Sequence, residues 1–151
     1  MTRSLTGIDE DYMNPGAVID HEGTLHMYAN VFTAWPGRMV VPHLTSTDGR
    51  AWTLADPAVA LTSDAVPFAD PGIDVSTGFV RDDGTWVLVF ETIGIVKPWV
   101  LGIATAPGPD GPWKIDPEPI LQPGKEGAVD AGGLAWPSVV RLGDGWAMLY
   151  T

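Results

Sequence analysis

Aspartates precede three short apolar stretches of this chain, at positions that suit carboxylate chemistry. The segments read "GIDEDYMNPGAVI" (7–19), "FADPGIDVSTGFV" (68–80) and "GAVDAGGLAWPSVV" (127–140). The candidate catalytic residues are Asp11, Asp74 and Asp130. Carboxylates that converge on one sugar could activate water or attack the ring, while others orient hydroxyls or raise a partner's pKa, as in glycoside hydrolysis. The alternative is turn chemistry, because Asp is common in loops rich in Gly and Pro.

A second group of residues could hold such a sugar. The segments "TAWPGR" (33–38) and "IVKPWV" (95–100) each contain a Trp, and an indole face suits the C–H-rich face of a sugar, although both could instead pack between blades. The candidate substrate-binding residues are Asp9, Asn14, Trp35, Arg38, Glu91, Trp99 and Trp136; Lys97, like Arg38, lies beside one of these tryptophans and could bind hydroxyls or a carboxylate. No metal site or cofactor is predicted, since the three His residues are scattered and Cys is absent.

The elements that must position these residues belong to a repeat of about 61 residues. An acidic-Gly turn precedes an apolar strand in "HEGTLHMYAN", "DDGTWVLVFE" and "GDGWAMLYT", and its glycines, Gly23, Gly84 and Gly145, are 61 residues apart. The Trp-anchored turns "STDGRAWT" and "TAPGPDGPW" place Trp52 and Trp113 at the same spacing. The stretches "DPAVAL" and "DPEPIL" are offset by 60 residues. Such a period is typical of repeat architectures.

Within each repeat, short apolar runs alternate with Gly/Asp turns, which predicts antiparallel strands. The predicted strands are 16–19, 25–29, 39–45 and 58–61, then 77–80, 86–91, 100–105 and 119–121, then 137–141 and 146–150. Four strands per repeat in a radial array make a β-propeller blade, and the alternative is a β-sandwich with coincidental similarity. We therefore predict an all-β, single partial propeller domain over 1–151, with blades at about 14–61 and 75–122 and half a blade at about 136–151.

The propeller geometry decides which loops share a face. Loops that enter the first strand and loops that join the second and third strands open on one face, where the candidate residues above belong. The "STDGRAWT" turn opens on the opposite face. Its Asp48-Gly49 pair suits a tight turn, and Trp52 is a large apolar anchor, so we expect it to hold the blade together rather than to take part in chemistry.

Composition and charge exclude several classes of function. The 18 Gly and 14 Pro residues suit many turns and oppose long helices. A net charge of −11 argues against binding to nucleic acid or to anionic membranes. The sequence shows neither a transmembrane run nor a signal peptide, which leaves the compartment undetermined. The oligomeric state is also left open.

Two and a half blades are fewer than the four that a propeller needs to close. We therefore expect the chain to be the N-terminal piece of a longer protein; the alternative is a half-propeller that closes by self-association. Open strand edges pair readily with other chains. Residues 1–151 alone are accordingly expected to hydrolyse no glycoside at a useful rate and to self-associate.

The blade sequences carry a resemblance to a known group. "STDGRAWT", "IATAPGPDGPW" and "AWPSVVRLGDGWAMLYT" resemble the blade signatures of the five-bladed propeller glycosidases of families 43, 32, 68 and 130, over about 13–151. The resemblance implies a sugar pocket at the end of the propeller axis. It also implies an Asp on the first blade as base or nucleophile, a second Asp that orients substrate or tunes a pKa, and a Glu on a later blade as general acid.

Two positions depart from that pattern. Asn14-Pro15 stands where these families usually have Asp-Pro, and Ser138 follows Pro137 where an Asp is common. Glu91 and Glu126 are weak candidates for the acid. The predicted function is a glycoside hydrolase that acts on oligosaccharides and resembles arabinosidases, xylosidases or fructosidases. The alternatives are a propeller that binds glycan or protein without catalysis, and an inverting phosphorylase, which would need a cationic phosphate site.

Overall fold

The computed structural model describes residues 12–95 and 98–151, which form two four-stranded antiparallel sheets and a two-stranded hairpin. The strands are β1 (Tyr12–His21), β2 (Thr24–Phe32), β3 (Val40–Ser46), β4 (Thr53–Thr62), β5 (Gly72–Val80), β6 (Trp86–Ile93), β7 (Leu101–Ala106), β8 (Lys114–Ile115), β9 (Ser138–Leu142) and β10 (Gly145–Leu149). Each sheet keeps its strands in chain order. The predicted all-β architecture of two blades and half of a third is confirmed. No helix in the described part of the chain is long and apolar enough to cross a membrane.

The fourth strand of the second blade differs from the prediction. The sequence placed it at 119–121, but the structure places it at Lys114–Ile115, followed by a single bridge between Leu101 and Leu121. Pro117 and Pro119 lack the N–H that a continuous ladder requires, which confines regular pairing to the residues before them. In the first blade, β4 is longer than predicted because both ends of that segment pair with β3.

The hairpin turns confirm the repeat, with one correction. Gly23 and Gly84 adopt left-handed backbone conformations, with φ of +78° and +83°, at the turns that precede β2 and β6. Gly145 does not, because it is the first residue of β10. Gly143 has φ of +59° in that hairpin instead. The expectation that Gly23, Gly84 and Gly145 occupy equivalent turn positions is therefore wrong for the third.

The "STDGRAWT" segment is a self-contained turn. One Asp48 carboxylate oxygen accepts hydrogen bonds from the N–H groups of Arg50 and Ala51, at 2.8 and 3.0 Å. The Trp52 indole N–H donates to the carbonyl oxygen of Gly49 at 3.2 Å, and its ring packs on a small cluster that includes Met27 and Leu44. These contacts bend the chain between β3 and β4, as a blade-forming turn would.

The main core lies between the first two sheets, so the blades are held by packing of one sheet on the next. Tyr28, Leu88 and Phe90 are fully buried there, and burial of such side chains stabilises each by about 1.5–3 kcal/mol. The Tyr28 hydroxyl donates to the carbonyl oxygen of Pro109, in the second blade, at 2.8 Å. Blades one and two therefore form one packed unit.

A pair of buried histidines lies beside Tyr28 in the first blade. Nδ1 of His26 and Nε2 of His43 are 3.0 Å apart, and both rings are buried. Burial lowers the pKa of His43 to about 4, so the pair is neutral at pH 7. The His43 ring stacks on Tyr28, with ring centroids 4.7 Å apart. These contacts give both histidines a structural role in the packing of the first blade.

The β9–β10 hairpin docks on the second blade through its side chains. The Trp146 ring lies 4.2 Å from that of Phe79, centroid to centroid, and the Arg141 guanidinium makes a bidentate ion pair with Asp82 at 3.0 and 3.2 Å. Leu142 and Leu149 are more than two-thirds exposed on the same hairpin. The docking fixes the loop before β9, which carries Trp136.

Gly16 sits where β1 bulges toward the second blade, and the structure leaves no room for a side chain there. A Cβ at this position would lie 2.2 Å from the carbonyl oxygen of Tyr28 and 2.6 Å from that of Val75. Both are backbone atoms, so we expect Gly16→Ala to lower the free energy of unfolding by about 2 kcal/mol. Urea denaturation measures the change, and Gly108→Ala, at a site with open space, is the matched control. An unchanged midpoint for Gly16→Ala would contradict this packing of the blades.

Candidate functional site

Two carboxyl groups face each other across the first pair of strands in the second blade. Asp74 on β5 and Glu91 on β6 are direct register partners. Opposite residues in an antiparallel pair project to the same face, with Cβ atoms about 5 Å apart. Asp74 is 8 % exposed and Glu91 is 1 % exposed. Burial of two acidic groups side by side disfavours their charged forms.

Asp74 forms part of a cleft of about 500 Å³. The cleft is lined by Asn14, Pro15, Asp74, Val75, Ser76, Trp136, Pro137 and Ser138. Burial raises the pKa of Asp74 to about 6, although hydrogen bonds from Asn14 and Asn30 oppose the shift. The Asn14 amide donates to one carboxylate oxygen at 3.5 Å, and the Asn30 amide donates to the other. This carboxyl group therefore titrates near neutral pH while both of its oxygens are held.

Glu91 lies beneath the cleft rather than in its lining. Its carboxyl oxygens accept hydrogen bonds from the Ser76 hydroxyl at 2.7 Å and from the backbone N–H of Trp136 at 3.2 Å. Burial raises its pKa to about 7, the negative charge of Asp74 adds to the shift, and the Ser76 hydrogen bond opposes it. Glu91 is thus protonated in a large fraction of molecules at neutral pH.

The contact between Glu91 and Trp136 repeats a contact one blade earlier. The Asn30 side-chain oxygen accepts a hydrogen bond from the N–H of Val75 at 2.8 Å, and in both cases the partners are 45 residues apart. A polar residue on the second strand of one blade therefore binds the backbone of the next blade. We call these two contacts the interblade clasps.

Equivalent positions on the first two strands of the three blades hold three residue pairs, and comparison of these pairs shows what is particular to the second blade. Asn14 pairs with Asn30, Asp74 pairs with Glu91, and Ala135 exchanges backbone hydrogen bonds with Thr151. These pairs follow the repeat spacing of 60 or 61 residues. Of the three, the second alone consists of carboxyl groups.

Asp130 lies away from the Asp74 cleft. Its carboxylate accepts hydrogen bonds from the N–H of Gly124 at 3.1 Å and from the Tyr150 hydroxyl at 3.3 Å. In the repeat, it corresponds to Asp70, 60 residues earlier, and not to Asp74. Asp130 is accordingly not among the residues that line the cleft with Asp74. Asp9, Asp11 and Lys97 lie outside the described residues.

Of the three candidate tryptophans, two are largely exposed and one packs on the core. Trp35 is 51 % exposed and meets the edge of Trp99, with ring centroids 6.5 Å apart. The Trp99 indole N–H donates to the carbonyl oxygen of Gly94 at 2.9 Å, and its ring packs on the main core. Trp136 is 68 % exposed at the cleft, in a left-handed backbone conformation with φ of +50°. Trp35 and Trp136 thus present indole surface to solvent, while Trp99 supports the loop between β6 and β7.

Arg38 is engaged with Asp64 in an ion pair beside a separate hollow on the first blade. It does not line the Asp74 cleft. Among the described residues, no group of three His, Asp or Glu side chains is placed to hold a metal ion.

The sequence did not indicate two residues that contact the candidate carboxyl groups. Asn30 and Ser76 contact the carboxyl groups of Asp74 and Glu91, respectively. One signal could have found Asn30, since it interrupts the apolar run "MYANVF" 61 residues before Glu91 interrupts "VLVFET". Ser76 carries no such signal, because it faces Glu91 through a bulge between Val75 and Thr77.

Similarity to known proteins is found at the level of structure. No protein-family model matches the sequence, and no curated protein matches it significantly. Among solved structures, it is similar to a family 43 glycoside hydrolase from Xanthomonas citri crystallised with xylotriose (TM-score 0.63, 19 % identity). It covers 39 % of that chain with 91 % of its own length.

Two further structures show the same likeness. One is a family 43 β-xylosidase/α-arabinofuranosidase from a compost microbial metagenome, in complex with xylotriose (TM-score 0.68, 19 % identity, 93 % of this chain and 43 % of that one). The other is a family 117 glycoside hydrolase from Zobellia galactanivorans (TM-score 0.68, 18 % identity, 90 % and 48 %). The chain spans less than half the length of these proteins and has the fold of the corresponding part of a propeller glycosidase.

Proposed function

We propose that this chain builds part of the sugar pocket of a glycoside hydrolase, with Asp74 as the carboxyl group that faces the substrate. The observation that carries the proposal is a buried carboxyl group, titrating near pH 6, in the lining of a cleft of about 500 Å³. Such a group exists in both protonation states near neutral pH, as proton transfer in catalysis requires.

The other groups at the cleft suit a polyhydroxylated ligand. The exposed indole of Trp136 offers an apolar face to a sugar ring. Asn14, whose amide nitrogen donates to Asp74, and Ser138, which adds a hydroxyl, give the lining further polar groups that suit sugar hydroxyls.

Glycoside hydrolysis needs two carboxyl groups, one on each side of the bond. Glu91 is held in an interblade clasp below Asp74, so in this proposal it fixes the backbone of Trp136 and does not meet the substrate. The second reacting group is assigned to a later blade of the whole protein, as the resemblance to propeller glycosidases implies. Xylo- and arabino-oligosaccharides are the proposed substrate class, because structurally similar enzymes include a β-xylosidase/α-arabinofuranosidase bound to xylotriose.

Ligand binding by the protein in the form in which its natural host makes it tests the pocket. We expect xylotriose or arabinotriose to perturb the amide NMR signals of Asp74, Trp136 and Ser138, since these residues line the cleft. The signals of Gly49 and Trp52, in a turn on the opposite face, should stay unchanged and serve as the control. Perturbation of the turn instead of the cleft, or no perturbation with pentose, fructose or mannose oligosaccharides, would refute the proposed pocket.

A propeller that binds glycan without catalysis is the second candidate. It is favoured by the side chains at the positions equivalent to Asp74, which are Asn14 and Ala135. In that case, Asp74 would serve binding or packing only. Sugar binding that survives Asp74→Asn, in a protein without detectable hydrolysis, would favour this second function.

A further inference from the structure

We propose that Asn30 is a positioning residue that orients the Asp74 carboxylate in the cleft. This inference rests on the proposed role of Asp74 and deepens it. Asn30 is fully buried on β2 of the first blade, 44 residues from Asp74 in the chain. Its side-chain amide donates to an Asp74 oxygen and to the carbonyl oxygen of Val75, the latter at 3.1 Å.

The amide of Asn30 is itself fixed by the second blade. Its oxygen accepts the Val75 N–H at 2.8 Å, so the amide plane is held by the backbone residue that follows Asp74. The identity of the side-chain oxygen and nitrogen follows from this N–H, because the atom that faces it must be an acceptor. The nitrogen is therefore directed at the Asp74 carboxylate.

This arrangement selects one orientation of Asp74. The carboxylate oxygen bound by Asn30 is buried with it, while the second oxygen contacts Asn14, a residue of the cleft lining. A donor to the ionised form also favours ionisation, and here it counteracts the effect of burial. Asn30 thus supplies both the direction and part of the acidity of the carboxyl group that would meet the sugar.

The equivalent clasp shows why an amide is needed at this position. Glu91 takes the same place in the second blade and binds the Trp136 N–H, but the next blade has Ala135 at the position of Asp74, so it offers no carboxyl group there. An acidic side chain in place of Asn30 would instead set two like charges together. The choice of Asn therefore follows from the presence of Asp74.

The experiment follows the Asn30 side-chain amide and the Asp74 carboxyl carbon by NMR between pH 4 and pH 8, in the protein without substitutions and in the form in which its natural host makes it. We expect the Asn30 amide protons to shift with the midpoint of Asp74, and to shift more than those of Asn14, whose contact is 3.5 Å long. Asn30 protons that do not respond as Asp74 titrates would overturn the proposal. No sugar is present, so the outcome is independent of whether the chain binds one.

Two variants complete the test. Asn30→Ala should raise the Asp74 midpoint by about one pH unit, because a donor to the charged form is lost. Asn30→Asp retains an acceptor for Val75 and should raise the midpoint further, which keeps the test available if the Ala variant does not fold. Ser63→Ala removes another buried hydrogen bond, to Met39, and is the control for destabilisation alone. A midpoint that stays unchanged in a folded Asn30 variant, or moves equally in Ser63→Ala, would refute the positioning role.

Discussion

Replacement of Asp74 by Asn is expected to lower glycoside hydrolysis by about 10²–10⁴-fold, the range typical for loss of a group that transfers a proton. Asn keeps the size of the side chain but can neither gain nor lose a proton near pH 6. The measurement is kcat and KM on aryl xylosides and arabinosides, with the protein in the form in which its natural host makes it.

The control for Asp74→Asn is Asp116→Asn, which changes the net charge equally at an exposed position. That variant should keep the parental rate. Parental turnover by Asp74→Asn would remove Asp74 from the reaction, whereas equal losses in both variants would point to net charge instead of the site. In the parent, kcat/KM should change with a midpoint near pH 6 if Asp74 carries the proton, because this is its pKa.

Glu91→Gln is expected to stabilise the fold at pH 8 by about 3 kcal/mol, the value of a pKa shift of about two and a half units. The pKa of Glu91 is about 7 in the folded protein, against an ordinary value of 4.5, so the folded state binds more protons between these limits. Stability from this group is full below pH 4.5 and is lost as the pH rises through 7. Gln remains neutral throughout and can keep the contacts to Ser76 and Trp136.

Urea denaturation at pH 4.5 and pH 8 measures this effect. Parent and variant should differ little at pH 4.5 and diverge at pH 8. Glu118→Gln, at an exposed position, should show no such divergence. A Glu91→Gln variant that is less stable than the parent at pH 8 would show that the charged form is the one that the interblade clasp requires.

The turns show which features of the fold are determined by local sequence. The hydrogen bonds that hold the tight turn at Asp48 span three residues or fewer, so its conformation depends on residues that are close together in the chain. The left-handed glycines, Gly23 and Gly84, are likewise local, because Gly alone adopts positive φ without steric cost. The 61-residue period of these features was therefore sufficient to predict antiparallel blades and the face on which the cleft opens.

The site was only half predictable. Asp74, Asn14 and Trp136 were named from the sequence and line one cleft, but Asp130 was grouped with them because it also precedes a first strand. Sequence position before a strand does not fix which side chain enters the cleft. Asp74 lies within β5, where alternate side chains point to opposite faces, whereas Asp130 corresponds to Asp70, which precedes that strand.

By itself, the sequence determined the all-β repeat and the turns, since both depend on residues that are neighbours in the chain. Tertiary structure alone decided that Asn30 holds Asp74 and that Glu91 holds Trp136, across 44 and 45 residues. It also decided that two carboxyl groups with ordinary pKa values in the unfolded chain titrate near neutral pH. The physical reason is burial, because desolvation and neighbouring charge act only after the blades have packed together.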